Sequence, residues 1–249
     1  MSAGCLPIRG NHHSTKDNMN PEDKQDMLRN FSELLARYGD QTEAVALTGH
    51  SQRYRFKVLT EIAPLEGETV LDYGCGKGDL YEYLFSAGFR GTYTGFDINP
   101  DLIALARCKY PDVRFEVKDI ESDDVNEMFD YVLMSGLFNN RLREPWRFMT
   151  GVLRRCFAIA RKGMAFNAIS TYVNFQESTI NYTSPEETFA FCMKELNTNV
   201  TLRHDNLPYN FAMYVYRKAE WRKTAEAKDR EVREVKAAVR TFGIEEGTR

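Results

Sequence analysis

Val70-Leu71-Asp72-Tyr73-Gly74-Cys75-Gly76-Lys77-Gly78-Asp79-Leu80 decides the fold. A short apolar run ends in an acid, a Gly-x-Gly-x-Gly turn follows, and a helical pattern begins. The spacing predicts a strand over Thr69–Tyr73 and a helix over Asp79–Ala87 that stops at Gly88. The glycines let the backbone turn sharply and let a ligand approach with no Cβ in the way. The helix start that follows favours negative charge. Two details depart from a dinucleotide fingerprint. The third glycine comes two residues after the second, not three. Asp72 stands at the mouth of the loop, where it would repel a pyrophosphate and attract an amino group or a sulfonium.

Working outward, strand and helix patterns alternate. Tyr93–Asp97 reads as a strand, and Asn99-Pro100 caps a helix over Asp101–Lys109. Val113–Val117 and Phe129–Ser135 read as strands, Arg143–Arg161 as an amphipathic helix, and Met164–Ile169 as a strand. Ser184-Pro185-Glu186-Glu187 opens a further helix as a capping box. Val200–His204 and Phe211–Tyr216 read as two closing strands, expected to add an antiparallel edge. Strands separated by helices imply βαβ units. The expected class is therefore α/β, a doubly wound and mostly parallel seven-stranded sheet with helices on both faces and an antiparallel last strand. Upstream, Asn20-Pro21 opens a helix carrying Met27, Leu28, Phe31, Leu34, Leu35 and Tyr38, which Gly39 closes. A second helix spans about Ser51 to Ile62, with Tyr54, Val58 and Ile62 on one face.

Three strands end in acids. Asp97, nineteen residues after Gly78, closes the second strand, where a carboxylate can accept hydrogen bonds from both hydroxyls of a ribose. Asp119 follows the third strand and could take an adenine amino group. These segments together resemble the class I S-adenosylmethionine (SAM)-dependent methyltransferases. The match runs over VLDYGCGKGDL, YTGFDINPDLIALAR, VRFEVKDIE and FDYVLMSGLF, within roughly residues 50–218. The resemblance implies SAM as cofactor. It sets Asp72 with Gly74, Gly76 and Gly78 near the methionine portion, Asp97 with Ile98 on the ribose, Asp119 with Ile120 around the adenine, and the backbone near Ser135 on the methionine amino group. Tyr54 and Arg55 precede the first strand. An arginine there can pair with the cofactor carboxylate, the alternative being a solvated helix face.

The acceptor is less legible. The fourth strand leads into Gly136-Leu137-Phe138-Asn139-Asn140-Arg141, with neither an Asn-Pro-Pro-aromatic signature nor an acid cluster for a metal. Asn139, Asn167 and Tyr172 fall near carboxyl ends of strands and are the candidate catalytic residues. Amides hold a substrate amine or hydroxyl but are poor bases. His204 is expected to be structural.

Composition narrows the partners. The 249 residues carry 33 basic and 36 acidic side chains, with a pI near 5.9, which argues against a phosphate-backbone binder. No stretch nears the roughly 20 apolar residues of a membrane helix. Five scattered cysteines without a CxxC argue against a zinc site or disulfide framework and suit a reducing compartment, the cytoplasm. The expected organisation is a flexible arm (1–19, with His12 and His13), a helical lid (20–62), a SAM-binding catalytic domain (63–218) and a charged C-terminal helix (219–249). The expected partner is a small molecule, with no nucleic acid and no membrane, acting on a monomer or homodimer. Three functions fit. The first is methyl transfer to a small-molecule O or N acceptor, as in secondary metabolism. The second is cyclisation of SAM itself to a small-ring amino acid with release of methylthioadenosine. The third is non-catalytic SAM binding.

Overall fold

The computed structural model describes residues 18–46, 49–205, 208–218 and 233. The expected C-terminal helix, with Arg233 the one exception, and the arm up to residue 17 lie outside the described residues.

Each helix start follows from its cap. Helix α1 (Pro21–Tyr38) begins with Asn20, whose side chain accepts from the Glu22 N–H at 2.8 Å, and Pro21 takes the first helical position. Asn99 accepts from the N–H groups of Asp101 and Leu102 to open α4 (Pro100–Lys109). Ser184 caps α6 (Pro185–Phe191) by accepting from Glu187 N–H. Helix α3 (Asp79–Ser86) starts after Gly78, whose φ of +85° only glycine adopts readily. The remaining helices are α2 (Gly49–Thr60) and α5 (Pro145–Ile159).

One seven-stranded sheet runs in the order β3-β2-β1-β4-β5-β7-β6. Its strands are β1 (Thr69–Tyr73), β2 (Thr92–Asp97), β3 (Arg114–Val117), β4 (Phe129–Met134), β5 (Ala160–Ile169), β6 (Val200–Arg203) and β7 (Asn210–Tyr216). β3 through β5 pair in parallel, and β7 pairs antiparallel with both β5 and β6. The closing pair adds the antiparallel edge as expected, with the last strand inside it. β7 inserts between β5 and β6, and β6 takes the edge. The burial pattern shows why: every residue from Asn210 to Val215 is buried, whereas Thr201 and Leu202 of β6 are exposed.

Alternate strand residues feed two apolar layers. Leu71, Val132, Met134, Met164, Phe166 and Met213 pack with α5, while Val70, Leu133, Ala165 and Tyr214 pack with α2 and α3. Two boundaries differ from expectation. β5 begins at Ala160, hidden in the sequence because Arg161 and Lys162 are polar and exposed. Helix α2 buries Gln52, Arg55, Phe56 and Leu59 as well as Val58, so its inward face is wider than the Tyr54–Val58–Ile62 stripe, of which Val58 and Ile62 are buried and Tyr54 packs on the same core.

Candidate active site

The carboxyl ends of β1 to β4 open into one cleft. Helix α1 walls its far side with Met27, Leu28 and Phe31, and the turn at Val45-Ala46 closes a corner. Asp72, Gly74, Gly76, Asp97, Ile98, Asp119 and Ser135 all line it, so the four strand ends that the sequence singled out meet in one place.

The glycine loop is shaped for close approach. A Cβ on Gly74 would lie 3.0 Å from Leu137 Cδ1, and one on Gly76 3.2 Å from Val45 Cγ1. Gly76 N–H donates to Asp97 Oδ2 and Asn99 N–H to Oδ1, each at 2.8 Å. These bonds fix the carboxylate of Asp97 and leave lone pairs on both oxygens for further donors. Lys77 does not line the cleft. It is buried and pairs with Asp79 at 2.5 Å and Asp40 at 3.2 Å, tying the loop to the chain after α1.

Asp72 is 2% exposed and receives one hydrogen bond, from Tyr93 Oη at 2.6 Å. Burial, with Asp97 and Asp79 nearby, pushes its carboxyl up to about 7. No described cation pairs with it. Arg55 is the converse. It is 8% exposed, so it does not lie on a solvated face, and its Nε and Nη1 have no hydrogen-bond partner. Its Nη1 lies 3.8 Å from where a Cβ on Gly136 would sit. Burial lowers its pKa from the ordinary value.

At the β3 end, Asp119 is engaged. Lys24 of α1 donates to its Oδ2 at 2.6 Å and Glu121 N–H to its Oδ1 at 2.8 Å. Glu121 is buried, lines the cleft, and leaves Oε1 without a partner. Its carboxyl is raised to about 7, chiefly by burial. Sequence reading passed over Glu121 because it stands among Asp119, Asp123 and Asp124 with nothing local to distinguish it. Gln52, which lines the cleft and donates to Asp79 Oδ2 at 2.8 Å, carried no signal either.

The methyltransferase domain profile matches residues 64–229 of this chain. A Mycobacterium tuberculosis protein assigned by name to the methyltransferases is 31% identical over 153 residues, covering 59% of this chain and 92% of that one. The chain belongs to the methyltransferase-domain family. It is a class I SAM-dependent methyltransferase. Ubiquinone biosynthesis O-methyltransferase of Hydrogenovibrio crunogenus is 31% identical over 90 residues, 36% of either chain. Magnesium protoporphyrin IX methyltransferase from Synechocystis PCC 6803, solved with bound SAM, shares the fold at a TM-score of 0.58 and 16% identity, over 81% of this chain and all of that one.

Within this methyltransferase the remaining candidates separate. Asn139 lines the cleft, and its Oδ1 accepts from Ile169 N–H at 3.0 Å. Asn167 is buried behind the lining. Its Oδ1 accepts from Gly136 N–H at 2.8 Å and its Nδ2 has no partner. Both amides hold the loop after β4 against β5. Tyr172 is not in the cleft. It is 62% exposed on the outer rim, where its hydroxyl bonds Glu186 and its ring meets His204 edge-on at 6.0 Å. The candidate role for it depended on β5 continuing into the cleft, but the chain turns outward after Ser170. Tyr54, Arg55, Gly78 and Ile120 also stand off the lining, Arg55 behind Gly136, which does line it. Tyr54 packs from α2 onto the apolar layer, Gly78 caps α3, and Ile120 is in the core with its N–H to Tyr73 Oη at 3.3 Å. His204 bonds Ser170 Oγ at 2.8 Å, away from the cleft. Among the described residues no helix is long and apolar enough to cross a membrane.

Proposed function

We propose that this methyltransferase acts on an O or N atom of a small molecule, with the cofactor bound in the cleft beneath α1. The observation that supports the cofactor placement is a pair of buried ionisable groups without a charged partner: Asp72 near the end of β1 and Arg55 behind Gly136, in the loop after β4. An amino-acid moiety with an ammonium and a carboxylate satisfies both. Burying either group unpaired is costly, so their retention argues for a zwitterionic occupant.

On this reading Asp72 faces the positive end of the methionine portion, and Arg55 takes its carboxylate. Asp97 accepts from the ribose hydroxyls. Glu121, with its free Oε1, takes the adenine amino group beside Asp119, whose oxygens already serve Lys24 and Glu121 N–H. The cofactor supplies an electrophilic methyl carbon. The chain supplies alignment, and α1 excludes water with Met27, Leu28 and Phe31. A small acceptor accords with the acidic balance of the chain and with the names of the ubiquinone-pathway and porphyrin relatives.

Mass spectrometry of the protein incubated with SAM tests the reaction class. S-adenosylhomocysteine should appear only when an acceptor is added, and SAM alone should stay intact. Methylthioadenosine released from SAM alone would make the protein a cyclase. Intact SAM with every acceptor would make it a binding protein.

A further inference from the structure

The two halves of the cleft differ in chemistry, and the difference bears on the acceptor. The acids Asp72, Asp79, Asp97, Asp119 and Glu121 come from the carboxyl ends of β1 and β2, the start of α3 and the loop after β3. The wall formed after β4 holds Leu137, Asn139 and Asn140, with Phe148 and Met27 beside them, and none of these is ionisable.

The amides of this wall have a fixed orientation. Each of Asn139 and Asn167 accepts a backbone N–H through Oδ1, and only an oxygen can do so. Their Nδ2 groups are therefore left as donors. Asn167 Nδ2 is buried and unpaired, in a side chain only 3% exposed, and Ser135 Oγ is buried and unpaired as well. Asn139 Nδ2 lies 3.5 Å from the point where a Cβ on Gly136 would sit. The unmet groups around Gly136 thus lean to donation. Among the described lining residues there is no histidine, and the one lysine, Lys24, is spent on Asp119. Exposed Arg141 follows Asn140 in sequence and makes no ion pair among the described residues.

We propose that the acceptor is a carboxylate and the product a methyl ester, an inference that rests on the cofactor site described above. A phenol or an ammonium must lose a proton before attack, and this wall holds no base for it. A carboxylic acid, with a pKa of roughly 4, arrives already ionised. Its oxygen forms the new O–C bond as the C–S bond breaks. The electron pair stays on sulfur, which becomes a neutral thioether, and no proton is released. Asn139 acts as a positioning residue for the anion, and Asn167, behind the lining, positions the loop that meets it.

Butanoate, decanoate and phenylacetate, each beside its alcohol and its amine, test this with SAM and the full chain. SAM binding is first verified by calorimetry, and its absence would overturn the cofactor reading instead. With SAM bound, S-adenosylhomocysteine is expected from a carboxylate at about ten times the rate from its alcohol or amine. The product should release methanol on saponification, with no proton release during turnover. Asn139→Asp keeps the acceptor for Ile169 N–H, so the fold is retained, but it sets a negative charge against the substrate. It should weaken carboxylate binding to the S-adenosylhomocysteine-loaded protein about tenfold to a hundredfold, beyond any change in SAM affinity measured alongside. Preferred turnover of an alcohol or amine would overturn the proposal. So would failure of all three carboxylates to bind the loaded protein, or unaltered carboxylate binding in Asn139→Asp.

Discussion

Arg55 joins two opposing effects in one side chain. A buried, unpaired guanidinium destabilises the free protein, and in the proposed function the same group gains a charge-assisted pair on binding. Arg55→Met should therefore leave the melting temperature of the free protein unchanged or raised, while SAM affinity falls about tenfold or more. A lower melting temperature with unaltered affinity would mark the arginine as structural. Asp97→Ala removes the acceptor assigned to the ribose and should weaken SAM binding by about 1–3 kcal/mol in calorimetry. Gly76→Val meets both a φ of +54° and Val45 at 3.2 Å, so binding should be lost. Asp72, Asp97 and the glycines were legible because strand-end acids and a glycine run are local patterns. Glu121 was not. What distinguishes it is tertiary: Met19 N–H donates to its Oε2, and the surrounding core leaves Oε1 bare.

Helix α1 shows how an element with little burial is held over the cleft. Among its described residues Asp23 alone is fully buried, and it accepts from Arg143 N–H at 2.8 Å and from Arg143 Nη1 at 2.5 Å. Lys24 reaches Asp119 at the cleft's other end, and Asn99 Nδ2 donates to Leu28 O at 3.1 Å. The helix is thus fastened by polar contacts along its N-terminal half, with its apolar side chains lining the cleft. Such an element opens at low cost. Asp23→Ala should speed amide hydrogen exchange along α1 and leave β1 unchanged, measured by mass spectrometry. Equal protection of α1 in both proteins would contradict the fastening. The helix, its Asn20 cap and its apolar positions were readable from periodicity. The insertion of β7 between β5 and β6 was not, because strand order is settled by long-range pairing and leaves no mark on local alternation.

At the scale of the whole molecule, the acids of the cleft couple binding to pH. In the fold, Asp72 and Glu121 hold protons up to about 7, whereas in the unfolded chain they release them in the ordinary carboxyl range. Between those limits the folded state binds more protons than the unfolded one. The stability these two groups contribute is lost as pH rises from roughly 4 to 7. A cationic cofactor prefers ionised Asp72, so the rise in melting temperature caused by SAM should be larger at about pH 8 than at about pH 5.5. A rise of the same size at both would show that Asp72 does not face the cation. The fold as a whole was legible because the βαβ alternation and four strand ends agree with one another. The acceptor half was less so, because the side chains after β4 are neutral and their orientation depends on backbone donors brought in from β5 and Gly136.

The most direct test of the account is calorimetric titration of SAM into the wild-type protein and into Asp97→Ala at neutral pH. The account predicts saturable binding at one site per chain and a loss of about tenfold or more in the variant. No binding to the wild type, or equal affinity in both proteins, would contradict it.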